Sequence, residues 1–241
     1  MIKLKHEYNK NTDKSIIPVH ERGEMSRRKL VEAGLRIYSE VGYQSASTRR
    51  LAADAGVNIA AIPYFFGSKE GLYHAVLDFI VEFYHVQLDE ELDRIKTALN
   101  DPRTTSEQYL DLLDGYMRAL VNFILREGAE RAQISRIYIR EQLDPTSGFT
   151  RLYHGFIKEM REIHEALIAN ILGRDAHDLE VKLLSQTLIG QMTIFKSSQV
   201  TVLKHLEWEQ YGEERVSSIE RVVSMNVRAL MQAYQTKGNE L

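Results

Sequence analysis

The chain is 241 residues long, enough for one large domain or two smaller ones with a sizeable core. Hydrophobic residues make up 44% and charged residues 27%, as in ordinary soluble globular proteins. There is no cysteine, which excludes a disulfide framework, a thiolate metal site and a cysteine nucleophile together. No apolar run approaches the roughly 18 residues of a membrane span. Residues 1–24 have no apolar h-region of a secretory signal, so the expected compartment is the cytoplasm, with no membrane partner.

Four prolines (Pro18, Pro63, Pro102 and Pro145) leave long stretches without a helix breaker, and no segment sustains period-2 alternation. Both features point to an all-α fold. Residues 1–75 carry 12 Lys/Arg and 8 Asp/Glu, a net of +4. The remainder is net −7, which brings the whole chain to −3. A basic first third on an acidic body suits contact with a polyanion. A charge fluctuation on a solvated surface gives the same arithmetic.

Residues 1–24 read as a polar, lysine-bearing arm with too few apolar anchors to order itself. The first helix spans 25–41, with Leu30, Ala33, Ile37, Tyr38 and Val41 at helical spacing and Gly42 as its stop. Ser47 is placed as the N-cap of a second helix over 48–55, its hydroxyl accepting from the backbone near Arg49 or Arg50. Gly56 and Val57 turn the chain, and Asn58 caps a short third helix to about Phe65. Lys69 opens a long fourth helix with Leu72, Val76, Phe79, Phe83 and Val86 as one stripe. Further helices are expected at 106–126, 132–143, 144–172, 178–198, 200–206 and 213–234.

The strongest functional signal is residues 47–69, STRRLAADAGVNIAAIPYFFGSK. Two short capped helices meeting at Ala55-Gly56-Val57 are helix-turn-helix punctuation. Such a unit lays its second helix in the major groove and crosses the backbone with the first. Hydroxyls and cations at the helix N-termini suit phosphates. On residues alone the unit is also compatible with a purely structural packing role.

The segment from Arg27 to Leu72 resembles the N-terminal domain of TetR-family transcriptional regulators. Val41-Gly42-Tyr43, Ser47-Thr48-Arg49, Leu51-Ala52, Ala55-Gly56-Val57-Asn58 and Phe66-x-Ser68-Lys69-Glu70-x-Leu72 carry the likeness. Arg140-Glu141-Gln142-Leu143-x-Pro145-Thr146 resembles the ligand domain of the subgroup governing sensitivity to cephalosporin-type and chloramphenicol-type drugs. The resemblance implies phosphate contacts from Ser47 and Thr48 and a base contact from Arg49; Arg50 joins the donors on the residues alone. It sets Asn58, Ile59, Ala60 and Ala61 against base edges and Lys69 on a phosphate. Pro63 stands where the family usually has tyrosine, which leaves Tyr64 to take that contact and suggests a kinked end to the third helix.

No metal-ligand spacing, nucleophile elbow, dinucleotide fingerprint or phosphate loop occurs, so no catalytic residue, metal or cofactor is expected. His85, Met117, Glu141, His154 and Gln191 lie on or beside apolar stripes of five helices. They form a candidate pocket for a small-molecule inducer; each also reads as an ordinary core or rim residue.

The resulting expectation is an all-α homodimer. An arm at 1–24 precedes a three-helix DNA-binding domain at 25–72. A ligand-binding and dimerisation bundle at 73–241 is joined across the two-fold by Asp178–Ser198 and Glu213–Tyr234. Operator DNA and an inducer are its partners. A helical scaffold without DNA binding, to which Pro63 points, and an enzyme acting on a small apolar molecule are the alternatives.

Overall fold

The computed structural model describes residues 19–126 and 128–238. They form helices α1 Val19–Ser45, α2 Thr48–Ala55, α3 Ala61–Phe66, α4 Lys69–Leu99, α5 Ser106–Leu125 and α6 Ala129–Leu143. There follow α7 Phe149–Leu152, a π-turn at Tyr153–Ile157, α8 Lys158–Leu172, α9 Leu179–Ser197, α10 Gln199–His205 and α11 Glu213–Gly238. There is no strand among the described residues. Residues 1–18 of the expected arm lie outside them. Residues 19–24 do not belong to an arm, because α1 already begins at Val19.

The chain divides into two compact units. The first takes the described residues up to Phe83 together with Ala129–Tyr153. The second takes Tyr84–Gly128 and the residues from His154 on. Residues 129–153, read from sequence as part of the C-terminal domain, pack within the first unit.

In the first unit α1 buries Leu30, Ala33, Ile37 and Tyr38, and α2 buries Leu51, Ala52 and Ala55. Gly42 breaks α1 with φ 77°, a value that an L side chain rarely adopts. A Cβ there would also lie 3.1 Å from Arg140 Nη1. Ser47 caps α2 as expected, its hydroxyl accepting from Arg50 N at 3.2 Å. Tyr38, Tyr43 and Tyr73 cluster, with Tyr73 centred 4.8 Å from each of the others.

The second unit is a bundle around Leu88, Leu92, Ile95, Leu113, Met117, Leu167, Leu188, Val223 and Val227. Along α4 the stripe does not run through Val86, which is 51% exposed. Burial continues instead through Tyr84, Leu88, Leu92 and Ile95, at spacings nearer to the helical period of 3.6. The helix expected at 144–172 is interrupted. Glu141 captures the backbone N–H and hydroxyl of Thr146, so helix restarts only at Phe149 and passes through the π-turn before α8.

Candidate functional site

Exposed side chains surround the helix-turn-helix. Ser47, Arg49, Arg50, Asn58, Ile59, Ala60 and Tyr64 are exposed, and Thr48 and Ala61 are half-buried. Arg49 makes no ion pair among the described residues. Arg50 is committed to Glu40 at 2.6 Å, and Arg36 ties α1 to α2 through Asp54 at 2.6 Å. Tyr64 is 79% exposed.

The recognition helix starts later than expected. Asn58 Oδ1 accepts from Ala60 N at 2.9 Å, a local turn that holds residues 58–60 ahead of α3. Pro63 then falls in the first turn of α3, where a backbone N–H has no helical partner to lose. The expected kink is therefore absent. Gly67 N donates to Pro63 O at 3.0 Å and closes the helix.

Lys69 points at the end of α1. Its ammonium donates to the carbonyls of Tyr43, Gln44 and Ala46 at 3.0, 3.3 and 3.0 Å. It also lies 4.5 Å from the Tyr43 ring centre. An ammonium has three donors, and all three are spent on the end of α1. Without DNA, Lys69 closes the helix C-terminus, where a cation is favoured, and the phosphate contact implied by resemblance would replace one of these bonds.

Glu141 is equally occupied. It is 2% exposed, and its carboxylate accepts from Tyr73 Oη at 2.5 Å, Thr146 Oγ1 at 2.8 Å and Thr146 N at 3.1 Å. Burial first, and then the bond to Glu141, raise the Tyr73 pKa well above the usual phenol range. Neighbouring bonds extend the network. Arg140 Nη1 donates to Tyr38 O at 2.7 Å, Ser147 Oγ to Glu70 at 2.7 Å and Arg151 to Asp78 at 2.9 Å. Residues 140–151 therefore strap α1 and the first half of α4. Tyr73 and Thr146, unmarked by the sequence reading, are central here.

The other four inducer candidates, His85, Met117, His154 and Gln191, belong to the second unit. His85 is tied to Gly155 O at 2.8 Å and stands 3.9 Å from Glu159. His154 is exposed, and Met117 is fully buried core. Gln191 Oε1 accepts from Asn226 at 3.0 Å between α9 and α11. An open groove of about 460 Å³ in this unit is lined by Glu91, Arg94, Asp111, Arg118, Asn122 and Glu220 among others, and by none of the five.

A family model described as bacterial regulatory proteins, tetR family, matches residues 30–76. A second, described as the C-terminal domain of the HTH-type transcriptional dual regulator CecR, matches residues 110–234, half of the chain.

The chain belongs to the TetR family.

It is 29% identical over 211 residues to the HTH-type transcriptional dual regulator CecR of Shigella flexneri, covering 88% of this chain and 93% of that relative. Two solved structures share the fold. AibR in complex with isovaleryl coenzyme A and operator DNA superposes with a TM-score of 0.58 at 17% identity, over 83% of this chain and 97% of that one. HlyIIR, a hemolysin II transcriptional regulator, gives 0.54 at 17% identity, over 84% and 98%.

This TetR-family chain is a transcriptional regulator, and no helix among its described residues is long and apolar enough to cross a membrane. One pair invites an enzymatic reading: Ser185 Oγ lies 2.8 Å from His164 Nδ1. Both side chains are fully buried. Burial, helped by the Arg161 charge, pushes the His164 pKa down to about 3, which makes it a poor general base near neutrality.

Proposed function

We propose that this TetR regulator is a ligand-released repressor that binds a two-fold operator as a homodimer. The observation that carries the reading is the pairing of an exposed helix-turn-helix with the strap at 140–151. Ser47, Thr48, Arg49, Asn58, Ile59, Ala60, Ala61 and Tyr64 meet the DNA. Arg50 joins them only by exchanging Glu40 for a phosphate. Two such readers address half-sites about 34–36 Å apart, or a multiple of that.

The dimer forms through α9 and α11. Leu179, Leu183, Ile194, Val222 and Met225 are large, apolar and exposed on these two helices, at spacings that line one face of each. Two such faces together bury an obligate-type interface of about 2,000 Å² or more.

Response to ligand runs through the strap. It follows α5 by way of α6 and leads into α8 by way of the π-turn, and it grips α1 and α4 by the bonds from Arg140, Glu141, Ser147 and Arg151. A small molecule bound in the second unit shifts the ends of α5 and α8, and the strap carries the shift to the reader. Ligand and operator then favour different states of one equilibrium. A mobility-shift titration on the DNA upstream of the protein's own gene tests this. Specific, salt-dependent retardation is expected, and its absence at micromolar protein defeats the proposal.

A further inference from the structure

Buried polar atoms almost always have a hydrogen-bond partner. In the second unit three neighbouring side chains each keep a buried atom without one. Tyr116, in the middle of α5, is fully buried, and its hydroxyl has no partner. Its ring centre lies 6.1 Å from the imidazole of His164 on α8. Ser185 holds His164 by Nδ1, which leaves the buried Nε2 with nothing. Arg161 sits three residues before His164 on α8, on the same helix face. Its Nη1 is buried and unpartnered, and the guanidinium makes no ion pair among the described residues. The charge of Arg161 acts on both the phenol and the imidazole; on the phenol it opposes the larger effect of Glu159 and that of Glu91.

The neighbouring carboxylates do not answer it. Glu159 is committed to Lys96 at 2.7 Å, and Glu91 to Arg94. What remains is one-sided chemistry. A phenol and a guanidinium both donate, and neither has an acceptor. His164 is neutral at ordinary pH, so Arg161 is the only positive charge of the three. The surrounding side chains belong to the apolar core, with Met117, Leu113, Leu120, Leu167 and Ile168 all buried. In such surroundings an anion that accepts from both donors gains far more than it does in water.

We propose that Tyr116, Arg161 and His164 form the polar end of an effector site in the second unit. The effector class is a small, mainly apolar monocarboxylate. Its carboxylate accepts from Arg161 and Tyr116, and His164 Nε2 supplies the third contact. The inference rests on the ligand-responsive reading above and names the chemistry of its ligand.

The test uses the full-length protein and octanoate as the probe, with octylamine and octanamide as the comparisons. Calorimetry and thermal melting are expected to show saturable binding of octanoate and none of the amine. Arg161→Gln is expected to weaken octanoate binding at least tenfold. Tyr116→Phe is expected to weaken it several-fold while leaving thermal stability equal or higher, because the hydroxyl it removes has no partner to lose. If Arg161→Gln does not fold, Tyr116→Phe carries the test alone. Equal binding of octylamine, no binding of octanoate, or octanoate binding indifferent to both variants overturns the inference. So does a crystal structure in which one ordered water bridges the three groups and octanoate leaves it in place. Operator binding by the unliganded protein is measured in parallel. Its loss sinks the regulator reading, whereas its persistence without octanoate binding sinks only this site.

Discussion

The Tyr73 hydroxyl on α4 donates to the Glu141 carboxylate on α6 at 2.5 Å, across 68 residues of sequence. Glu141 is thereby a structural tie within the reader's own unit, and its lone pairs are met by Tyr73 and Thr146. A hydrogen bond to a charged group typically contributes about 1.5–3 kcal/mol. Tyr73→Phe should lower unfolding free energy by about that amount in urea titrations. Glu141→Gln should alter operator affinity as well as ligand response, because the strap holds α1 and α4 whether or not ligand is present. Unchanged operator affinity would show that the strap does not set the reader's geometry.

Lys69→Met should cost about 1–3 kcal/mol of stability, since it leaves three carbonyls at the end of α1 without their charged donor. The dependence of operator affinity on salt should keep its slope, because no phosphate contact is removed. A slope flatter by about one unit would restore the phosphate role.

Arg49→Ala should reduce specific operator binding by about 1–3 kcal/mol if its guanidinium reads a base. Non-specific binding should fall much less. Competition mobility shifts with operator and scrambled duplexes separate the two, and equal losses on both would make Arg49 a backbone contact.

His164 makes stability depend on pH with a defined sign. Its folded pKa, about 3, lies below the ordinary value of 6.5, so between the two the unfolded chain binds the extra proton. Stability is therefore full above about pH 6.5 and falls as the pH drops toward 3, at up to about 1.4 kcal/mol per unit from this one group. Urea midpoints of the parent and of His164→Asn between pH 7 and pH 4 check this. The variant should show a shallower dependence.

Met225→Asp, or Leu183→Asp on the facing helix, should release folded monomers in sedimentation experiments. Both residues are exposed in the single chain, at 71% and 55%, so the charge disturbs no internal packing. Leu230 serves less well, because it packs against the chain's own core. A variant that remains dimeric at micromolar concentration would move the interface elsewhere.

Local signals carried much of this protein. Breaker-poor stretches and 3.6-residue stripes set its helices; Ser47 announced a cap, Gly42 a stop and Gly56 a turn, because each acts on backbone within a few residues. The family resemblance was legible for the same reason: the helix-turn-helix is a short, contiguous unit. Residues that look outward in sequence were decided by tertiary structure. Lys69 reads as a phosphate donor until the end of α1 is folded against it, and Glu141 reads as an orphan acid until Tyr73 arrives from a distant helix. The unit boundary was hidden too, since 129–153 returns to the reader only through long-range bonds. Stripes record that a residue is buried, whereas its partner depends on which helices meet. Periodicity along one helix holds no information about that, and the unpartnered atoms of Tyr116, Arg161 and His164 become visible only once α5, α8 and α9 are packed.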